Sequence, residues 1–197
     1  MWEELTKPLS GDVVSLVPID ASHEAALFSA LDHEVIWKWL PVARPDRAGF
    51  AEVFDFLLTE NAAGRMGTWV NFARDDGSVI GTSSYLALRP EHRGLEVGWT
   101  MLSPSAWGIG ANVEAKLLML GHAFGDLGAQ RVEFKTDANN ERSRGALAAL
   151  PAQFEGVFRQ HMDTNYGIRD SAYYSVIDTE WPEVRANLER RVRARTR

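Results

Sequence analysis

The chain has 197 residues, of which 45% are hydrophobic and 24% charged, and a net charge of −6. That length predicts one domain with room for a sizeable core, and that balance excludes a disordered or collagen-like chain. Cysteine is absent, which excludes a disulfide framework, a thiolate zinc site and a cysteine nucleophile, and suits a reducing compartment.

No apolar run approaches the roughly 20 residues that cross a bilayer, and Glu3 and Glu4 stand where a secretory signal carries bases. A cytoplasmic protein with no membrane partner is expected. Residues 13–18, Val-Val-Ser-Leu-Val-Pro, read as a first strand ended by proline. Asp20 is placed to cap a helical stretch that runs to about Leu31. Residues 51–62 carry Val53, Phe54, Phe56, Leu57 and Leu58 at helical spacing. Residues 69–73 and 79–88 are two strands around the hairpin signal Asp75-Asp76-Gly77. A turn over 89–94 leads to a third antiparallel strand, 95–102, with Leu95, Val97, Trp99 and Met101 expected on one face.

The order then changes. Gly108 and Gly110 precede a helix over 111–127 whose Val113, Leu117, Leu120, Phe124 and Leu127 share a face, and Gly128 stops it. Residues 131–136 alternate as a strand, 139–150 form a helix ended by Pro151, 154–162 and 171–177 are two more strands, and 180–195 are helical. The central strand–helix–strand unit predicts a parallel pair beside an antiparallel meander. The fold class is therefore α+β (mixed α/β), a twisted mixed sheet flanked by helices. No repeat or linker divides it: one domain spans 1–197, with a core of about 12–180 and a basic helix at 181–197.

Charge is uneven. Residues 185–197 carry six arginines (185, 190, 191, 193, 195 and 197) against Glu189, a +5 tail that leaves −11 on the rest. The acidic body argues for a cationic partner. Arginine suits the C-terminal end of a helix, so the tail reads as a solvated helix end. A nucleic-acid arm is the competing reading, and the lack of interleaved aromatic residues makes nucleic acid an unexpected partner.

Chemistry concentrates in 95–112. The first turn of a helix leaves backbone N–H groups unsatisfied, and glycine lets an anion approach them without a Cβ in the way. Gly108-Ile109-Gly110 before Ala111 is thus a candidate pyrophosphate cradle; a tight strand-to-helix turn is the plainer reading. Ala111-Asn112 follows where a Walker loop needs Lys-Ser/Thr, and Val113 stands where the dinucleotide fingerprint needs a third glycine. No His, Asp and Glu spacing suggests a metal; His23 and His33 lie apart in a polar stretch.

Leu95-Glu96-Val97-Gly98-Trp99, Gly108-Ile109-Gly110-Ala111-Asn112-Val113-Glu114-Ala115-Lys116, His122-Ala123-Phe124, Arg131-Val132-Glu133-Phe134-Lys135-Thr136-Asp137, Asn139-Asn140-Glu141-Arg142-Ser143-Arg144 and Phe154-Glu155-Gly156-Val157-Phe158-Arg159 follow in a telling order. From about 12 to 180 the chain resembles an N-acetyltransferase of the GNAT superfamily, of the RimJ/RimL type. The resemblance implies a GNAT acyl-CoA N-acyltransferase fold and transfer of acetyl from acetyl-CoA, or of another acyl group from its CoA ester, to a primary amine without a metal. The acceptor is a protein N-terminus or a small amine. It implies that pantetheine lies between 95–102 and 131–136 against the backbone of Met101 and Leu102. It puts the pyrophosphate on the amides of Trp107, Gly108, Ile109, Gly110, Ala111 and Asn112, with Asn139 and Ser143 reaching the pantetheine arm and sulfur. Related enzymes often pair, so a homodimer is expected. Two departures stand out: Ser105 where the superfamily usually has Gln or Arg, and Leu150-Pro151-Ala152 in place of Leu-Gly-Ala.

Acyl transfer to an amine needs a proton acceptor and help for the leaving sulfur. Glu96, on the strand feeding the site and opposite Val97 and Trp99, is the leading base; a structural ion pair is its other reading. Ser143 stands where the superfamily often has a tyrosine acid, so it protonates or positions the sulfur. His161, near a strand end on the acceptor side, is the alternative base, while His122 reads as a packed or surface imidazole. Trp37, Trp39 and Leu40 form either a hydrophobic staple or a lid over the acceptor. The rival class is a non-catalytic CoA-binding regulatory module.

Overall fold

The computed structural model describes residue 2 and residues 4–195. Its strands are β1 (Leu9–Ser10), β2 (Val14–Pro18), β3 (Gly67–Ala73), β4 (Val79–Arg89), β5 (Gly94–Leu102), β6 (Arg131–Asp137), β7 (Gln153–Thr164) and β8 (Gly167–Ile177). Its α-helices are α1 (Glu24–Leu31), α2 (Glu34–Trp37), α3 (Arg47–Ala62), α4 (Ala111–Gly121), α5 (Glu141–Ala149) and α6 (Trp181–Arg193). The strands form one sheet in the order β1-β2-β3-β4-β5-β6-β8-β7, antiparallel except for β5 against β6. This is the mixed sheet that the strand–helix–strand unit predicts.

Local signals set most element starts. The Asp20 side chain accepts from the Ser22 N–H at 2.8 Å and starts the turn leading into α1. Asp46 does the same for Gly49 at 2.8 Å, so α3 begins at Arg47, a turn before the apolar spacing becomes visible. α4 ends at Gly121, and the chain continues as a π-turn over 122–126 rather than as α-helix to 127. His122 is packed there, with Nδ1 2.7 Å from Asp126 and its ring stacked on Tyr85.

The sheet buries apolar side chains on both faces. Leu95, Val97 and Val132 meet Val113, Met119 and Leu120 of α4 and Val184 and Leu188 of α6 on one face. On the other, Val70 and Met101 meet Leu27 and Leu31 of α1 and Phe50 and Phe54 of α3. Each such side chain contributes about 1.5–3 kcal/mol by leaving water. The expectation that Leu95, Val97, Trp99 and Met101 share a face is corrected here. Trp99 has φ +45°, and the register with β4 slips between Thr82 and Ser84. That bulge inserts one residue and inverts the alternation, sending Trp99 and Met101 toward α1 and α3.

Glu114 fastens the sheet to α4. Its carboxylate accepts from the N–H groups of Asp12, Val13 and Val14 at 2.7–2.8 Å. A Cβ on Gly11 would fall 2.2 Å from that carboxyl carbon, so only glycine fits. α6 packs along α4; Arg197 of the basic tail lies outside the described residues.

Candidate active site

The parallel ladder between β5 and β6 has only three registered pairs, Gly94 with Arg131, Leu95 with Val132 and Glu96 with Glu133. Beyond Glu96, β5 stays with β4 while β6 stays with β8 as far as Asp137. The strands part, and a groove of about 490 Å³ follows the split. Trp107, Gly108, Gly110 and Asn112 line one end, and Val35, Ile36, Trp39, Leu40, Lys135 and Arg169 line the other.

At the first end the chain enters α4 through two left-handed glycines, Gly108 at φ +83° and Gly110 at φ +101°. Gly110 is the N-cap and supplies no side-chain acceptor, so the first-turn N–H groups of α4 keep their capacity for an anion. A Cβ on Gly108 would meet nothing within 4 Å, which leaves the approach open. Arg142 lies over the Trp107 ring at 3.8 Å, Arg195 Nη1 donates to the Gly108 carbonyl at 2.7 Å, and Arg191 Nη1 donates to the Ala149 carbonyl at 2.8 Å. All three line the groove, and among the described residues none has a carboxylate at ion-pair distance. Burial, and the nearby Arg195, push the Arg191 pKa down; burial alone does so for Arg142. The solvated-helix-end reading of the tail therefore holds for Arg185, Arg190 and Arg193, which are exposed, but Arg195 turns back to the glycine loop and Arg191 to the end of α5, and both line the groove.

At the other end Glu96 is 4% exposed, with Oε2 3.4 Å from Lys135 Nζ. Burial raises its carboxyl pKa, and Lys135 opposes part of that rise. Glu96 lies opposite Val97 as expected, but the bulge places Trp99 on the Glu96 side. Lys135 Nζ lies 6.0 Å from the Tyr173 ring centre, and the Tyr173 hydroxyl is 3.4 Å from His161 Nε2. His161 Nδ1 is 3.0 Å from Ser171 Oγ. Burial lowers the His161 pKa, with the fields of Lys135 and Arg169 acting the same way. Glu96 with Lys135, and His161 with Tyr173, are thus two polar pairs, joined only by the 6.0 Å approach of the Lys135 ammonium to the Tyr173 ring. Lys135 lines the groove; His161 lines a separate shallow depression on β7 with Phe158, Arg159, Gln160 and Asp170.

The other expected positions divide. Ser143 and Leu102 line the groove, the Leu102 carbonyl accepting from Trp107 Nε1 at 2.9 Å. Met101 is buried toward α1 and α3, and Ala111 is buried at the start of α4. Ile109 is 44% exposed. Asn139 is exposed, its N–H bonded to Asp137 at 2.8 Å, whereas Asn140 caps α5 and lines the groove. The Asn112 side-chain oxygen is buried without a partner. Trp37 donates to the Leu31 carbonyl inside the core, a structural role, while Trp39 and Leu40 wall the groove.

Sequence reasoning passed over the roles of four cations. Lys116 is buried, donates to Thr100 Oγ1 at 2.6 Å and has its pKa lowered by burial to about 7. Its signal was visible: it lies on the apolar face, three residues after Val113 and four before Leu120. Arg191 and Arg195 share an i,i+4 face of a helix, which marks a stripe but not its target. Arg169 carried no signal.

A sheet whose one parallel pair splits above a glycine-opened helix defines the GNAT fold. The acetyltransferase (GNAT) domain profile matches residues 14–152, and the chain belongs to that family. It is 32% identical over 109 residues to YoaA of Bacillus subtilis (strain 168), an uncharacterized N-acetyltransferase, a match that spans 55% of this chain and 61% of that protein. A candidate acetyltransferase of T. thermophilus superposes with TM-score 0.86 at 39% identity, covering 98% of this chain and 100% of its own. Mycobacterium smegmatis RimJ in complex with CoA-disulfide superposes with TM-score 0.79 at 22% identity, covering 93% and 92%, a likeness of fold. Among the described residues no group of three His, Asp or Glu is placed to hold a metal ion, and no helix is long and apolar enough to cross a membrane.

Proposed function

We propose that the chain is an acyl-CoA-dependent N-acetyltransferase that moves acetyl from acetyl-CoA to a primary amine. The observation that carries this reading is the gathering of three arginines without acids in a groove that runs from a split parallel pair to an open glycine turn. Like charges gathered in a cleft call for a polyanion. Arg142, Arg191 and Arg195 would meet the phosphates of CoA with the first-turn amides of α4, supplying the side-chain help that Ser105 does not. The β6-facing side of β5 at Met101 and Leu102, which has no strand partner there, would take the pantetheine, and Ser143 would face its sulfur end.

Acyl-CoA supplies a thioester, and a C–N bond to the amine forms as the C–S bond breaks. The amine's surplus proton goes to the Glu96 carboxylate, directly or through water; its raised pKa makes it a better acceptor near neutral pH, and the Lys135 ammonium stands beside it at 3.4 Å. His161, reached through Tyr173, is the second base candidate. We place the protein in the RimJ/RimL branch, in the cytoplasm, with a protein N-terminus or a small amine as acceptor. We also propose that two copies pair along β7, an edge strand with Phe158 55% exposed; sedimentation at the monomer mass alone would remove that idea.

Calorimetry with CoA tests the cradle. Wild type should bind in the micromolar range, and Gly110→Glu, which puts a Cβ and a negative charge at the loop, should lose binding with the circular dichroism unchanged. Equal affinity would sink the assignment. Thiol release from acetyl-CoA with a mixed amine library separates an enzyme from a regulatory module that only binds CoA.

A further inference from the structure

Arg169 is a buried cation without a counter-ion. It lies on β8 opposite Met162, is 6% exposed, and lines the groove at the end walled by Trp39, Leu40 and Lys135. Its Nε has no hydrogen-bond partner, and its Nη1 reaches only the Trp39 carbonyl, at 3.5 Å. Two carboxylates stand in the neighbourhood, and both are engaged. Glu96 faces Lys135 at 3.4 Å, and Asp137 accepts from the Tyr166 hydroxyl at 2.9 Å and the Asn139 N–H at 2.8 Å. Among the described residues no carboxylate reaches Arg169 at ion-pair distance.

A fold does not bury a guanidinium this deeply without a partner unless the partner arrives with a ligand, because an uncompensated buried charge is costly. The guanidinium presents a planar fork of donors that matches a carboxylate. The phosphate-facing arginines sit at the glycine loop, whereas Arg169 stands beside Lys135 and Trp39 at the acceptor end. Val35, Ile36, Trp39 and Leu40 add an apolar wall beside it.

We propose that Arg169 binds a carboxylate carried by the acceptor, so that the acceptor is an amine with a carboxylate a few bonds from the reacting nitrogen and an apolar body. The proposal rests on the acyltransferase reading and names its substrate class. The carboxylate has two possible sources, the α-carboxylate of a free amino acid or the side chain of an acidic first residue in a peptide.

The test is thiol release from acetyl-CoA with matched amine sets. One set is the common L-amino acids against the same amino acids as amides; the other is a hexapeptide beginning with Asp against its Asn counterpart. Wild type should favour the carboxylate member of one set by roughly 100-fold in kcat/KM, mostly through KM, and the responding set identifies the source. Arg169→Met should bring that ratio near one. Arg169→Lys, which keeps the charge and loses the fork, should retain part of it, and it reads the same ratio if the methionine variant does not fold. A wild-type ratio near one, a ratio that survives in Arg169→Met, or no turnover of any carboxylate-bearing amine by protein that binds CoA would overturn the proposal. Failure to bind CoA in calorimetry would instead overturn the acyltransferase reading.

Discussion

At one end of the groove Arg142, Arg191 and Arg195 converge with no acid among them; at the other, Lys135 and Arg169 share their space with Glu96 and Asp137. The first end is built from groups that stay charged at every physiological pH. Beside the second end lie groups whose titration the fold has moved: burial raises Glu96, and on the neighbouring face of β7 and β8 burial lowers His161, and burial with the fields of Glu96 and Glu133 raises Tyr173. A permanent positive field suits holding a polyanion, and shifted acids and bases suit moving a proton. The contrast implies that donor binding is governed by salt and turnover by pH.

The largest break in that contrast is expected from Glu96→Gln, which removes the proton acceptor and keeps the shape. It should lower kcat by roughly 10²–10⁴-fold while CoA affinity in calorimetry stays put. The wild-type rate should rise with pH through one ionisation. A near-silent Glu96→Gln beside an inactive His161→Ala would move the base to His161.

Lys116 lies between the two ends and sharpens the comparison through stability. Its pKa is about 7 in the fold against an ordinary 10.5. Below pH 7 both states hold the proton and the burial penalty is felt in full. Between about 7 and 10.5 only the unfolded chain still holds it, so stability should rise with pH across that window. Lys116→Met should flatten the rise and add on the order of a few kcal/mol at pH 7 in denaturant unfolding. A wild-type curve already flat from pH 7 to 10 would show that the ammonium is not buried in solution.

Arg191→Ala with Arg195→Ala should weaken CoA binding by roughly 10–100-fold, and more at low salt, without moving the pH profile of kcat. A shifted profile would mean that the two ends are not electrically independent. The smallest effect is expected at Ser143→Ala, about 10-fold or less in kcat, because one neutral hydrogen bond of about 1 kcal/mol is lost.

Signals that act over a few residues were legible without coordinates. The spacing of Val113, Leu117 and Leu120, the Asp20 cap, the Asp75-Asp76-Gly77 turn and the Gly108–Gly110 entry into α4 all appear where the sequence puts them, as does the order that yields a mixed sheet with one parallel pair. The Trp99 bulge was not legible, since nothing in 95–102 marks which residue is extra; only pairing with Thr82 and Ser84 on β4 decides it. Sequence identified the cradle through its glycines and Glu96 through its strand, because backbone conformation and strand alternation are local properties. It did not identify what each charge would face. Glu96 meets Lys135 across the parallel pair, Arg195 meets Gly108 from just past the last helix, and Arg169 on β8 meets Trp39 in the turn after α2. Those partners are separated by tens of residues along the chain, and their meeting depends on how β5 and β6 part, which the packing of both faces of the sheet decides.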